Sequence, residues 1–161
     1  MAEFRQVSSV CVKRLHPRVR PFDIGHWWFE LGDDESYGWW PEHGITRTDF
    51  VLRREVPGIL NGSVTLAVLS IDGKHGVDGD EEFYPLVAKD DRRSNLQIME
   101  CLRGFAREFG NKNKPIYKWG QDCHTFQEEA LSHCDLIIPP HIKESLVGQL
   151  KQAKTIDGDM R

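Results

Sequence analysis

Apolar and polar positions change their rhythm about halfway along the chain. Val7 to Lys13 is rich in β-branched residues and predicts a strand, with Cys11 as a small buried hydrophobe. The two prolines in His16–Pro21 predict an extended loop. Ile24 to Leu31 then reads as a strand, Gly32-Asp33-Asp34 as a turn, and Ser36 to Trp40 as the returning strand of a hairpin, ended by Pro41. Alternation puts His26, Trp28 and Glu30 on one face of the first strand and Trp27, Phe29 and Leu31 on the other. Large aromatics on both faces imply that both are covered. Asp49 to Val56 predicts a third strand, stopped by Pro57-Gly58. Ser63 to Ile71, apolar on both faces, predicts a central strand. Phe83 to Val87 predicts a short edge strand.

From Ser94 the spacing becomes helical. Ser94 is a capping residue, and Ile98, Leu102, Phe105 and Phe109 form one apolar stripe, with Cys101 beside it. Gly110 through Pro115 supplies the stop signals. A second helix begins near Asp122 or Cys123, with Cys123, Phe126, Ala130, Leu131 and Cys134 on one face. Pro139-Pro140 breaks the chain. Ile142, Leu146, Val147 and Leu150 predict a third amphipathic helix, and residues 154–161 a flexible tail. Strands early and helices late give an α+β fold, an antiparallel sheet packed against helices in one domain over residues 1–153.

Composition narrows the functional classes. A chain of 161 residues can bury a core without covalent staples. Its formal charge of -4 gives no basic stripe for nucleic acid. The apolar runs are too short to span a bilayer, and the N-terminus lacks the pattern of a secretory signal. Together these predict a monomer made in the cytoplasm with no integral membrane segment. The 4 cysteines contain no C-x-x-C pair, so no zinc site of that type is expected, and free thiols are. The acidic, glycine-rich loop 72–82 lacks the carboxylate spacing of a calcium-binding loop and reads as a solvated turn. No cofactor is implied.

The candidate chemistry lies in Tyr117-Lys118-Trp119-Gly120-Gln121-Asp122-Cys123-His124-Thr125-Phe126. Cys123 opens a helix, where unpaired N–H groups and the positive dipole end favour a thiolate and could receive an oxyanion. A nucleophilic thiol needs a neighbouring imidazole to take and return a proton. His124 is adjacent, but successive helix residues point in different directions. His133 lies about three turns along the same helix. His26, on a strand in an aromatic setting, is the better base. On position alone, a buried structural Cys123 and a sheet-satisfied His26 remain open readings.

Gly25-His26-Trp27-Trp28-Phe29-Glu30-Leu31-Gly32-Asp33 resembles the His-bearing hairpin of circularly permuted NlpC/P60 proteins. These belong to the branch of the papain-like superfamily that includes lecithin:retinol acyltransferase-like enzymes. Asp122-Cys123-His124-Thr125-Phe126 is similar to that branch's Asn-Cys-Glu-His-Phe nucleophile motif, with Asp in place of Asn. The order of His strand and Cys helix agrees as well. The resemblance implies a papain-like fold and a cysteine peptidase or amidase with Cys123 as nucleophile and His26 as base. The family places an orienting polar residue on the strand after the histidine. Here that spacing falls on Gly38, which has no side chain. Glu35, Ser36, Glu42 and His43 are the nearby alternatives, and Glu35 is taken as the third residue because a carboxylate best stabilises an imidazolium; a Cys123–His26 dyad is the other reading.

The implied substrate is a bacterial cell-wall peptide. The alternatives are lipid acyl transfer or thioester hydrolysis, and a catalytically silent interaction module. The resemblance also implies a small secreted antibacterial effector, exported by a contact-dependent system to a target-cell periplasm and opposed by a cognate inhibitor (immunity) protein. Trp27, Trp28, Trp39 and Trp40 either fill the core or line a substrate groove.

Overall fold

The computed structural model describes residues 3–17 and 25–142. The expected helix from Ile142 through Leu150, the tail 154–161 and most of the proline loop before His26 lie outside them.

The chain runs β1 (Phe4–Gln6), β2 (Val10–Leu15), β3 (His26–Leu31), β4 (Glu35–Pro41), α1 (Arg47–Val51), β5 (Val56–Leu60), α2 (Val64–Leu69), β6 (Glu81–Phe83), β7 (Leu86–Ala88), α3 (Asn95–Lys112), β8 (Ile116–Tyr117) and α4 (Cys123–His133). Six strands form one antiparallel sheet in the order β6-β2-β3-β4-β5-β8, and β1 pairs with β7 apart from it. The fold is α+β. The predicted hairpin is β3–β4, with Trp28 opposite Gly38 and Leu31 opposite Glu35. All six residues of β3 are buried, as its two aromatic faces require.

Helices α3 and α4 cover one face of the sheet. Ser94 caps α3 in a reciprocal box with Gln97, and Ile98, Leu102, Ala106 and Phe109 are its buried stripe. Phe126 of α4 meets Phe29, Phe105 and Phe109 at ring-centroid distances of 5.8, 5.8 and 5.0 Å. Gln127, fully buried on α4, donates to the carbonyls of Lys13 and Trp28 at 3.0 and 2.8 Å and accepts from Arg14 Nε at 2.8 Å. One side chain thus locks α4 across β2 and β3 and fixes the start of α4 beside the start of β3. Buried amide bonds of this kind specify position, because breaking one strands polar groups away from water.

Three expectations are corrected. The stretch from Asp49 is not a continuous strand. Thr46 caps α1 by accepting the Asp49 N–H, and the strand begins only at Val56. It then runs through Pro57 and Gly58, where a Cβ at Gly58 would lie 2.5 Å from the Trp39 ring. Ser63 to Ile71 is not a central strand. Ser63 caps α2 by accepting the Leu66 N–H, and Val64, Val68 and Leu69 are 67%, 79% and 57% exposed. A uniform apolar run has no period that separates strand from helix, so the cap decided. The segment expected as one edge strand is split at Tyr84-Pro85 into β6 and β7, which join different sheets.

The cysteines are not all free. Cys101 on α3 and Cys134 at the end of α4 form a disulfide, while Cys11 and Cys123 are free thiols. Packing α3 against α4 brings together two residues 33 apart in sequence, with Cα atoms 5.9 Å apart. Cross-linking a loop of that length restricts the unfolded chain and is worth roughly 4 kcal/mol. The double variant Cys101→Ser/Cys134→Ser is expected to unfold at a lower urea midpoint by about that free energy. An unchanged midpoint would show the bond to be thermodynamically idle.

Candidate active site

His26 is the first residue of β3, and its ring is buried between aromatics. It stacks on Trp28 at 5.5 Å and lies 3.9 Å from the ring of Trp40. Its Nε2 meets the carboxylate of Asp72, 3.1 Å from Oδ1 and 3.2 Å from Oδ2. Asp72 is 1% exposed and held on every side. Trp40 Nε1–H donates to Oδ2 at 2.7 Å, the Lys74 N–H donates to Oδ1 at 2.9 Å, and the Asp72 N–H donates to Ser36 Oγ at 2.7 Å. An ionised carboxylate only accepts, so Nε2 carries the imidazole proton. His26 Nδ1 is then the basic nitrogen, and it makes no hydrogen bond among the described residues.

Gly38 explains why the orienting group comes from Asp72. A Cβ at Gly38 would lie 2.4 Å from Asp72 Oδ2 and 2.8 Å from His26 Nε2. The strand position that would carry an orienting side chain is empty, and a carboxylate from the turn after α2 fills the space. Glu35 is therefore not the orienting carboxylate. It stands at the far end of the hairpin, opposite Leu31, five residues from His26 along β3 and roughly 16 Å away at strand rise. It binds Arg103 Nε and Nη2 at 2.6 and 2.7 Å and accepts from Tyr37 Oη at 2.5 Å. Burial alone would raise its pKa, but the Arg103 and Tyr37 hydrogen bonds prevail and lower it. Asp72 had one sequence signal: the empty Gly38 position requires the partner to come from another segment.

Cys123 opens α4, as expected, with Asp122 as its cap. Asp122 Oδ1 accepts the Thr125 N–H at 2.9 Å. Tyr117 Oη donates to the Cys123 sulfur at 3.8 Å, and the Trp27 backbone N–H is near enough to help lower the pKa of the thiol. The sulfur thus rests against the residue that follows His26. No hydrogen bond joins the sulfur to the His26 ring among the described residues. The expected thiolate is also corrected. Burial first, then the Asp122 carboxylate, push the Cys123 thiol up to about 12, against the opposing Trp27 and Tyr117 donors. The resting sulfur is a thiol, and the cap that starts the helix offsets the help of its dipole.

No family model, curated protein or solved structure matches the chain.

Trp27, Trp28 and Trp39 are core residues, and only Trp40 is both partly exposed and in contact with the site. The acidic loop after Asp72 is tied to the sheet. His75 bridges Ser36 Oγ and the Asp33 carbonyl, and the Gly76 N–H donates to Glu30. Among the described residues no cluster of His, Cys, Asp or Glu could hold a metal, and no helix is long and apolar enough to cross a membrane.

Proposed function

We propose that the protein is a cysteine hydrolase that cleaves a peptide or amide bond, with bacterial cell-wall peptides as its substrate class. The observation that carries this reading is His26. Its Nε2 is bound to buried Asp72, its Nδ1 is left basic, and the next residue's N–H helps lower the pKa of the Cys123 thiol. A carboxylate that fixes an imidazole tautomer beside a thiol is the arrangement that nucleophilic acyl transfer needs.

Because the sulfur rests as a thiol, attack and deprotonation occur together. His26 Nδ1 takes the Cys123 proton as the sulfur–carbon bond forms, and the Cys123 N–H at the start of α4 receives the oxyanion. The imidazolium, stabilised by Asp72, gives its proton to the leaving amine as the carbon–nitrogen bond breaks. Water then attacks the acyl-enzyme, losing a proton to His26, which returns it to the departing sulfur. The direct sulfur–imidazole contact forms in the substrate complex, since catalytic hydrogen bonds are commonly long before substrate binds.

The peptidoglycan assignment rests on the two motif resemblances. The disulfide supports action in an oxidising compartment such as a periplasm. A cognate inhibitor protein and a monomeric state belong to the same proposal. A second reading, acyl transfer from a lipid or thioester, is favoured by α2, whose exposed Val64, Val68 and Leu69 lie shortly before Asp72.

Digestion of purified peptidoglycan, followed by mass spectrometry, separates the two. New stem-peptide fragments are expected from the wild type, with a loss on the order of 10³-fold or more in Cys123→Ala and in His26→Ala. Release of fatty acid from acyl thioesters with intact peptidoglycan would establish the second reading. Full cleavage by both variants would refute the mechanism.

A further inference from the structure

His124 is the titratable group in this region for which the mechanism above has no use. It is 3% exposed, and neither ring nitrogen has a hydrogen-bond partner among the described residues. Its ring lies 4.2 Å from that of Trp27, which is 2% exposed and whose Nε1–H is also unpartnered among the described residues. These two residues immediately follow Cys123 and His26 in the chain. Buried groups without partners are rare and costly, so two in contact beside a nucleophile call for a ligand.

Their chemistry defines that ligand. Burial, reinforced by His26, Arg14 and His16 nearby, keeps the His124 ring neutral. A neutral imidazole offers one N–H donor and one acceptor nitrogen, and the Trp27 indole adds a second donor. One peptide unit matches this set, its N–H donating to the acceptor nitrogen of His124 and its carbonyl accepting from the Trp27 indole N–H. An ester or thioester has no N–H for the acceptor nitrogen, and a carboxylate has none either. Cys123 and His26 are 2% and 5% exposed, and the His26 ring is near enough to His124 to bear on its protonation.

We propose that His124, with Trp27, is a specificity-determining residue that hydrogen-bonds the peptide unit next to the scissile carbonyl. The proposal rests on Cys123 being the nucleophile. It makes the site selective for peptides over simple acyl groups.

The test uses two aldehydes, acetyl-Ala-alaninal and its depsi analogue, in which an ester oxygen replaces the peptide N–H between the two residues. Each adds reversibly to a thiol. The sulfur–carbon bond forms and the thiol proton passes to the aldehyde oxygen. Thiohemiacetal formation is followed by NMR of aldehydes carrying ¹³C at the carbonyl. The wild type is expected to bind the amide about 10-fold more tightly or better. His124→Phe should bind the two alike and His124→Gln should recover the preference, since a glutamine amide also donates and accepts. His124→Phe should also raise the unfolding temperature, because an unpartnered polar group is removed from the interior. A purely structural imidazole would not trade stability for discrimination in this way. Equal binding of both aldehydes by the wild type, or an undiminished preference in His124→Phe, would overturn the proposal alone. Absence of any Cys123 adduct would overturn the nucleophile assignment, and this inference with it.

Discussion

Asp72→Asn is expected to lower turnover by about 10³-fold or more while leaving the fold intact, whereas Glu35→Gln leaves turnover unchanged. Asp72 uses both carboxylate oxygens as acceptors: Oδ2 receives Trp40 Nε1–H, Oδ1 receives the Lys74 N–H, and His26 Nε2 is within 3.1–3.2 Å of both. An asparagine has one oxygen and one NH₂ group. Its one oxygen can take only one of the two positions, so the NH₂ in the other confronts a Trp40 or Lys74 N–H and, beside His26, demands a lone pair on Nε2. The imidazole proton then moves to Nδ1, the nitrogen that must take the Cys123 proton, so the base is lost although every atom is in place. Steady-state cleavage of peptidoglycan fragments by the two variants checks this. Comparable rates for Asp72→Asn and wild type would remove Asp72 from the site. Loss of activity in Glu35→Gln with an unchanged unfolding midpoint would restore the residue that the hairpin alone suggested.

Acid should destabilise the wild type through His124, and His124→Gln should remove that part of the loss. The folded ring is held neutral down to about 3, against an ordinary value of 6.5, first by burial and then by His26, Arg14 and His16. In the unfolded chain the ring takes a proton as pH falls through 6.5, while the folded chain refuses it. Stability is therefore lost from about 6.5 downward and the loss is complete near 3. Above 6.5 the ring is neutral in both states and contributes no pH dependence. The depression corresponds to about 5 kcal/mol at the acid end. Urea unfolding of both proteins at pH 7, 5 and 3.5 measures it, because carboxylates common to the two cancel in the difference. A difference that stays constant across this range would mean that the ring protonates freely in the folded protein.

The hairpin, the capped helix α3 and the start of α4 at Cys123 were legible in the sequence. Each is written in a few consecutive residues: Gly32-Asp33-Asp34 between two apolar runs, Ser94 three places before Gln97, and Asp122 before a helical spacing. That a histidine opens β3 and a cysteine opens α4 was legible for the same reason. Each sits at the first position of a locally signalled element, and Gln127 then draws those ends together. The run from Ser63 to Ile71 was misread because its residues are apolar without a period, and Ser63 alone marks the helix.

By itself the sequence determined the α+β order of elements and which two reactive side chains stand at element starts. Only the tertiary structure decided that Asp72 rather than Glu35 holds His26, that Cys101 and Cys134 are bonded, and that Cys123 rests as a thiol. The reason is physical. Turns, caps and periodicity act through neighbours in the chain. The partner of a buried charge, the approach of two sulfurs and the pKa of a thiol depend on what the fold brings close and how much water it excludes. Asp72 is 46 residues from His26 in sequence and 3.1 Å from its Nε2 in the folded protein.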